Sequence, residues 1–262
     1  DIVYFLLVNL ICNFYILGYK PTKNLSKRVN MNVSIIANKL PILTLHSIIN
    51  GVEETGIDIN NIQEHIVCFD DGLYSQLKLI KELNKTKKVY FFPSGFLIRT
   101  NKPVLIKNSL AHIQLENLLS VDSEKYFNKD SKYFNTFLNL KEIEELIKEN
   151  VNFGIHGWYH LNLNQSEIKK IETRFKKRII SVLREDASLS WNFYKYLINK
   201  YPSKFYENDT LILNYCTPYN VWNEYQKMWV ELFKGFIMKD PINDKNVKLN
   251  IFSYERNKNA IK

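Results

Sequence analysis

The chain alternates short apolar runs with segments that are apolar on one side only. Ile66–Phe69 and Val89–Phe92 are apolar throughout, as expected of parallel strands that are covered on both faces. Between them, Tyr74–Asn84 carries apolar residues at helical spacing, which predicts an amphipathic helix. Lys141–Asn150 has the same spacing, and the predicted strand Asn152–Ile155 follows it. This order predicts alternating strands and helices, and therefore an α/β fold with a parallel sheet.

The second half of the chain continues the alternation. Ile168–Val182 is apolar at helical spacing on one side and rich in Lys and Arg on the other, which predicts one helix. Leu211–Tyr215 and Val247–Phe252 are predicted strands, and the segment Trp222–Phe233 is a predicted helix whose aromatic stripe packs into the core. Strand–helix alternation in one chain of 262 residues predicts either a parallel barrel or a doubly wound sheet.

Two parts of the chain interrupt this pattern. Residues 1–30 are first apolar and then basic, which predicts either the remnant of a membrane anchor or translated sequence upstream of Met31. Residues 99–139 mix polar and aromatic residues and are interpreted as an insertion. Residues 31–262 are predicted to form a single domain. A cytoplasmic or membrane-associated location is favoured over secretion, because a basic flank after an anchor favours the cytoplasmic side.

Composition narrows the classes of protein further. The chain is 45% apolar and is therefore too apolar to be disordered. Its formal charge of +9 is attributed first to abundant surface Lys, with attraction of anionic glycans, lipid-linked phosphates or a membrane face as the alternative. Nucleic-acid binding is not expected, because no dense basic tract is interleaved with aromatic residues. Cys12, Cys68 and Cys216 do not make a disulfide framework.

Two adjacent carboxylates, Asp70 and Asp71, end an apolar run just before Gly72. The carboxyl ends of strands are where α/β barrels place their active sites. Successive residues of an extended chain point in opposite directions, so a bend at Gly72 is needed to bring both carboxylates into one pocket. Taken alone, the sequence Asp-Asp-Gly is equally well explained as a solvated turn.

Two histidines, His156 and His160, follow another predicted strand at a spacing of four residues. This spacing puts two imidazoles on one face of a helical turn, as when two His bind one zinc ion. The ordinary alternative is a pair of surface or packing histidines. Together with the adjacent carboxylates, they predict a divalent-metal hydrolase of an amide or ester, in which one Asp and two His bind the ion and the other Asp is the base.

Three segments resemble the motifs of a known enzyme family. Val67–Gly72, Phe91–Gly95 and Phe153–Leu161 are similar, in this order, to the polysaccharide deacetylases of carbohydrate esterase family four. The family's first motif is Thr-Phe-Asp-Asp-Gly and its second is His-Ser/Thr-x-x-His. The resemblance extends over roughly Pro41 to Tyr219. It implies an α/β fold of the distorted (β/α) barrel type and hydrolysis of an N-acetyl group on a sugar.

The resemblance also implies roles for individual residues. Asp71, His156 and His160 would hold a divalent metal, with Zn²⁺ expected and Co²⁺ or Ni²⁺ as alternatives. Asp70 would then be the general base. Trp158 lies between the two histidines in the sequence, so it is assigned either to the substrate pocket or to packing under the site.

The family's third motif, Arg-x-Pro-Tyr, is altered here to Cys216-Thr217-Pro218-Tyr219. The Pro-Tyr turn is kept, which implies that Pro218 contacts the substrate and that the Tyr219 backbone N–H donates to the oxyanion. The Arg that orients the base is missing. Another group must therefore hold Asp70, or activity is reduced.

The family's late catalytic histidine is also missing, because no His follows His160. Leu43–Ile48 resembles instead the Leu-x-Tyr-His start of circularly permuted members, the biofilm-glucosamine deacetylase type. This resemblance implies that His46 protonates the leaving amine. Without it, His46 would be interpreted as a buried histidine at a strand end.

The sequence therefore predicts a metal-dependent deacetylase of an N-acetylated sugar in a surface polysaccharide or its precursor. Its partner would be that glycan, and any membrane association would depend on residues 1–30. Two alternatives stay open. One is a non-catalytic glycan-binding relic of the same fold, which the missing Arg favours. The other is a metal-dependent hydrolase of another amide or ester, since a fold does not determine the leaving group.

Overall fold

The structure is a computed structural model. The residues that it describes are 29–35, 42–45, 48–49, 52–53, 62, 66–95, 137–242 and 246–252. Most of the predicted N-terminal segment, most of the predicted insertion and His46 lie outside these residues. Within them, no helix has the length and apolar character needed to cross a membrane.

Parallel strands make up most of the described β structure. The strands are β1 Asn30–Ile35, β2 Ile42–Leu45, β3 Ile48–Ile49, β4 Val52–Glu53, β5 Ile66–Asp71, β6 Lys88–Pro93, β7 Asn152–Phe153, β8 Tyr206–Glu207, β9 Thr210–Cys216 and β10 Asn246–Phe252. One sheet has the order β2-β5-β6-β7 and a second has the order β1-β10-β9-β8. The strand pairs are parallel except for two antiparallel pairs, β8 with β9 and β3 with β4.

One parallel bridge joins the two sheets. The Ile155 N–H donates to the Asn214 carbonyl at 3.0 Å, and the Cys216 N–H donates to the Ile155 carbonyl at 3.0 Å. The parallel strands therefore follow one another as β2, β5, β6, β7, β9, β10 and β1. The predicted α/β fold with parallel sheets is confirmed. The described strands do not form a closed sheet, so the distorted (β/α) barrel is not confirmed.

Helices occupy the crossovers that parallel strands require. The first connects β5 to β6, the second precedes β7, the next two lie between β7 and β8, and the last connects β9 to β10. They are α1 Leu77–Leu83, α2 Leu140–Lys148, α3 Ile168–Phe175, α4 Ile179–Lys200 and α5 Glu224–Lys239. An Asn139–Glu142 capping box begins α2, because each side chain accepts a hydrogen bond from the backbone N–H of the other residue.

The prediction of a single helix over Ile168–Val182 is wrong. Helix α3 ends at Phe175, because the next residue, Lys176, has a left-handed backbone with φ 51. Helix α4 then begins at Ile179 and runs for 22 residues to Lys200. Both helices bury apolar residues in the same core, so the apolar spacing continues across the break and does not reveal it.

The predicted aromatic stripe of α5 packs into the core. Trp229 stacks on Tyr215 of β9, with ring centroids 4.1 Å apart and planes inclined by 13°. Phe233 lies 5.0 Å further along the same stack. Trp222 and Tyr225 are half-buried against the core. Stacking of this kind stabilises the fold beyond the burial of apolar area alone, and it holds α5 against β9.

Gly154 lies where the two sheets are joined. A Cβ at this position would lie 2.2 Å from Cε1 of Phe92 and 2.8 Å from the Asn214 carbonyl oxygen. We expect Gly154→Ala to lower the free energy of unfolding by about 1–3 kcal/mol, because a packed core does not accommodate an added methyl group. Urea denaturation followed by circular dichroism measures this change.

Gly235→Ala is the matched control. Gly235 lies in α5, and a Cβ there would meet nothing within 4 Å. We expect this substitution to raise the free energy of unfolding by about 0.5–1 kcal/mol, because Ala loses less backbone entropy in a helix than Gly does. Equal tolerance of the two substitutions would contradict the close approach at Gly154.

Candidate metal centre and active site

The backbone turns sharply at the end of β5, where the two predicted carboxylates lie. Asp71 has φ 72 and Gly72 has φ 81, so the bend predicted at the glycine begins one residue earlier. Asp70 Oδ2 lies 3.8 Å from His156 Nε2, and Asp71 Oδ1 lies 3.5 Å from the same nitrogen. The turn therefore directs both carboxylates toward one imidazole.

The segment from His156 to His160, which we call the histidine loop, follows β7. It is not the predicted helical turn, because Gly157 has φ 75 and His160 has φ 51. The two imidazoles nevertheless lie side by side, with ring centroids 4.8 Å apart. Two backbone hydrogen bonds connect the loop to the end of β6 and the residues after it. The His156 N–H donates to the Pro93 carbonyl at 3.2 Å, and the Gly95 N–H donates to the Gly157 carbonyl at 3.3 Å.

Three buried side chains converge on one point. His160 Nε2 lies 3.0 Å from Asp71 Oδ1, and His156 Nε2 lies 3.5 Å from that oxygen. One donor atom from each of Asp71, His156 and His160 lies within 4.8 Å of the other two. Donors bound at about 2 Å to a tetrahedral ion are about 3.3 Å apart. The chain therefore contains a candidate metal-binding group of one Asp and two His.

The orientation of His156 is set from β9. Its Nδ1 lies 3.0 Å from the Cys216 carbonyl oxygen, and a carbonyl can only accept a hydrogen bond. Nδ1 therefore carries a proton, and in the neutral ring the lone pair of Nε2 is directed at the carboxylates. A backbone or carboxylate acceptor behind the ring is the usual way in which a histidine ligand of a metal is oriented.

The surroundings of Asp70 differ from those of Asp71. The Cys216 thiol donates to Asp70 Oδ2 at 3.4 Å, and the Gln76 amide donates to the Asp70 carbonyl at 2.7 Å and to the Leu45 carbonyl at 3.4 Å. Cys216 and Gln76 thus tie Asp70 to β9 and β2. The thiol stands where the resembled family has Arg, and it is a weaker hydrogen-bond donor.

A second group of possible ligands, Asp70, His156 and Cys216, also lies within 4.8 Å. It shares His156 with the first group, so one ion cannot use both sets fully. The first group fits an ion better, because its carboxylate lies 3.0 and 3.5 Å from two imidazoles, whereas Asp70 lies 3.8 Å from one. Asp70 therefore belongs to the group of possible ligands that fits an ion less well.

Tyr219 and Pro218 line the side of the site formed after β9. The Tyr219 ring lies 4.9 Å from the His160 ring between centroids, and its backbone is left-handed with φ 56. Burial, and then the charge of Asp71, raise the pKa of Tyr219 to about 12. The phenol is therefore neutral at physiological pH. Pro218 is buried.

Trp158 is half-buried beside the site. Its ring lies against Gly95, where an added Cβ would meet it at 2.0 Å, and it meets the Phe193 ring edge-on at 6.0 Å. These contacts fix the indole by packing. A contact of Trp158 with substrate stays a prediction.

The predicted acid, His46, lies outside the described residues. The residue before it, Leu45, pairs with Phe69 in the parallel register of β2 and β5. Phe69 immediately precedes Asp70. The chain therefore leaves β2 beside the carboxylate end of β5.

Asp186, a buried carboxylate of α4, was not predicted from the sequence. Its Oδ2 accepts a hydrogen bond from the Tyr159 N–H at 2.6 Å, and its Oδ1 accepts one from Trp229 Nε1 at 2.6 Å. Burial raises the pKa of Asp186 from 3.8 to about 6 in spite of these bonds. An acidic residue on the buried face of a helix, one turn from Val182, was the signal in the sequence.

Comparisons with known proteins identify no family. No family model matches the chain, and no curated protein does. The similar solved structures include three at 10% identity, all with TM-scores below 0.5. Two of these three are deacetylases by name.

The three structures match most of the chain. IcaB from Ammonifex degensii has a TM-score of 0.43, with 86% of this chain and 95% of that chain covered. The BpsB deacetylase domain from Bordetella bronchiseptica has a TM-score of 0.37, with 90% and 99% covered. The Streptococcus pyogenes deacetylase PplD in complex with acetate has a TM-score of 0.36, with 87% and 92% covered.

The metal-binding group leads to a prediction about thermal stability. We expect saturating Zn²⁺ to raise the melting temperature of the EDTA-treated protein by several degrees, because a ligand at about 100 times its Kd stabilises the native state by about 2.7 kcal/mol. Asp71→Ala and His160→Ala are expected to abolish the shift. Asp240→Ala, which removes an exposed carboxylate, is expected to keep it. A full shift in His160→Ala would contradict the assignment.

Burial of Asp186 leads to a prediction about pH. Its pKa is higher in the folded chain, about 6 against 3.8, so the folded state binds more protons between these values and stability falls as pH rises. In EDTA, we expect wild type to lose up to about 3 kcal/mol relative to Asp186→Asn from about pH 4 to about pH 7. Urea denaturation at each pH measures the free energy of unfolding of both proteins. If the two free energies change with pH in parallel, the prediction is wrong.

Proposed function

We propose that the protein is a metal-dependent hydrolase that removes the N-acetyl group from a sugar of a surface polysaccharide or its precursor. The observation that carries the proposal is the convergence of Asp71, His156 and His160 with a second buried carboxylate, Asp70, beside them. This combination supplies three ligands and one separate base. The order of the motifs in the sequence, and their resemblance to polysaccharide deacetylases, supports the choice of an acetylated sugar.

The two carboxylates have different tasks in this proposal. Asp71 is shared between the two imidazoles and holds the ion with them. A divalent ion held there, Zn²⁺ being expected, would lower the pKa of a water molecule and polarise the acetyl carbonyl. Asp70, whose Oδ2 lies 3.8 Å from His156 Nε2, would accept the proton of the attacking water. The Cys216 thiol takes the place of the family's Arg in orienting Asp70, as supported by its 3.4 Å contact with the carboxylate.

The turn after β9 is proposed to stabilise the oxyanion. The Tyr219 backbone N–H donates to the oxygen of the tetrahedral intermediate, and Pro218 bounds the pocket next to it. The packing of the Tyr219 ring against the His160 ring, at 4.9 Å between centroids, supports this, because it brings the turn next to the proposed metal ligands. Trp158 is proposed as a wall of the sugar pocket, since it is only half-buried and lies in the histidine loop.

His46 is proposed as the general acid that protonates the nitrogen as acetate leaves. Support comes from Leu45, whose carbonyl accepts a hydrogen bond from Gln76, the residue that also binds the Asp70 carbonyl. His46 follows Leu45 directly. The order of the parallel strands, which runs from β2 to β1, also supports a distorted (β/α) barrel that is proposed to close between β1 and β2, with residues 31–262 as its single catalytic domain.

A non-catalytic relic of the fold is less well supported. Asp70, Asp71, His156 and His160 are all at most 3% exposed. Buried ionisable side chains cost free energy unless they are paired or bind a metal. A relic that bound glycans only at its surface would gain nothing from them. Hydrolysis of another amide or ester would use the same groups, so acetylated sugars must be compared with a simple ester.

The experiment measures metal content and acetate release on one purified sample of the full chain. Substrates are N-acetylglucosamine oligomers, nucleotide-linked N-acetyl sugars and a simple ester. We expect about one Zn²⁺ per chain and acetate release. Asp70→Asn is expected to keep the metal and lose at least 100-fold in rate, because it removes the base. Asp71→Asn is the matched variant, which is expected to lose the metal as well.

The outcomes separate the parts of the proposal. Metal binding without acetate release from any acetylated sugar, together with hydrolysis of a simple ester, would support the alternative hydrolase. Bound metal without any hydrolysis would support the relic. Loss of metal in Asp70→Asn but not in Asp71→Asn would reverse the roles of the two carboxylates. A chain that binds no metal would overturn the proposal.

A further inference from the structure

Asp186 is the most deeply buried acidic group close to the candidate site that the proposed function does not use. Only 1% of it is exposed, and it projects from a helix face that otherwise buries Val182, Leu183 and Ala187. An ionised carboxylate in such a place requires hydrogen bonds from several donors to offset its lost hydration. The identity of those donors indicates what the residue does.

One of the donors is a backbone amide of the histidine loop. The Tyr159 N–H donates to Oδ2 at 2.6 Å. Gly157, two residues earlier, has a left-handed backbone with φ 75, and a Cβ there would lie 3.4 Å from Asp186 Oδ1. The loop therefore passes close to both oxygens of the carboxylate.

The other donor, the indole N–H of Trp229, holds the Asp186 carboxylate in place. Trp229 Nε1 donates to Oδ1 at 2.6 Å, and the Trp229 ring is fixed by stacking on Tyr215 of β9. The carboxylate is therefore held from α5 on one oxygen and holds the loop with the other. Trp158 and Tyr159 are the residues immediately between Gly157 and His160, so the position of the His160 imidazole depends on these bonds.

We propose that Asp186 is a positioning residue for the metal centre, which holds the histidine loop in the conformation that presents His156 and His160 to one ion. This inference rests on the proposed function for the ion, but not on the substrate. Asp186 does not touch the ion or the substrate. It acts through the backbone amide of Tyr159, the residue before His160.

The test compares Asp186→Asn with wild type and with a matched control. An Asn side chain has the same shape but only one acceptor oxygen, so one of the donors would face its NH₂ group. Leu197→Ala is the control, because Leu197 is buried in the same helix about 16 Å along its axis from Asp186. It lowers stability without touching the loop. Asp186→Glu keeps the charge with a longer side chain.

The first readout is metal affinity, measured for Zn²⁺ by chelator competition, together with the absorption spectrum of the Co²⁺-substituted protein. We expect Asp186→Asn to bind Zn²⁺ about 10–100-fold more weakly and to change the Co²⁺ spectrum. Asp186→Glu should fall between Asn and wild type. Leu197→Ala should keep wild-type affinity and spectrum at a lower melting temperature.

The second readout is hydrogen exchange at the Tyr159 amide of the metal-free protein, relative to amides of β9. We expect exchange at least tenfold faster in Asp186→Asn and unchanged in Leu197→Ala. Wild-type affinity and exchange in Asp186→Asn would overturn the proposal, as would equal effects of Leu197→Ala. If the wild-type protein binds no metal, the proposed function fails. In that case, hydrogen exchange that is unaltered in either Asp186 variant would separately contradict the positioning role.

Discussion

The pair of backbone hydrogen bonds at Ile155 is the constraint on which the site depends. These bonds join β7 to β9 and thereby turn two four-stranded sheets into one continuous series of parallel strands. They also place the carbonyl of Cys216 behind His156 and its thiol beside Asp70. Without the junction, the residues that end β5 and those that end β9 would belong to separate sheets. The space that Gly154 leaves free makes the junction possible.

The site concentrates negative charge in the interior. Asp70, Asp71 and Asp186 are all buried, and each meets a different kind of partner. Asp71 meets two imidazoles, Asp70 meets a thiol and one imidazole, and Asp186 meets an indole and a backbone amide. Buried carboxylates that are surrounded by weak donors favour a cation nearby, because a cation offsets the desolvation that neutral donors offset only in part. In the proposed function, these different surroundings distinguish Asp71 as a ligand, Asp70 as the base and Asp186 as a structural anion.

Sequence patterns predicted the frame of this molecule better than its details. Apolar runs located β5, β6 and β9, because buried parallel strands leave a continuous apolar signal. Strand ends and spacing indicated one Asp and two His as ligands, and the resemblance to polysaccharide deacetylases selected Asp71, His156 and His160. The break at Lys176 was not predictable, because a left-handed residue leaves the apolar spacing intact. Asp186 was missed because its partners are a backbone amide and one indole, and amide positions are not encoded by side-chain type.

Backbone conformation adds a last consequence. Asp71, His160 and Tyr219 all adopt left-handed backbone angles, a conformation that costs a residue with a side chain about 1 kcal/mol or more. Glycine at any of these positions would relieve the strain but would remove a side chain that contacts the site. Selection for a more stable fold and selection for this site therefore act in opposite directions at the same three positions. A lineage that lost the chemistry would be free to accumulate glycine there, so these positions record in the sequence whether the site is still maintained.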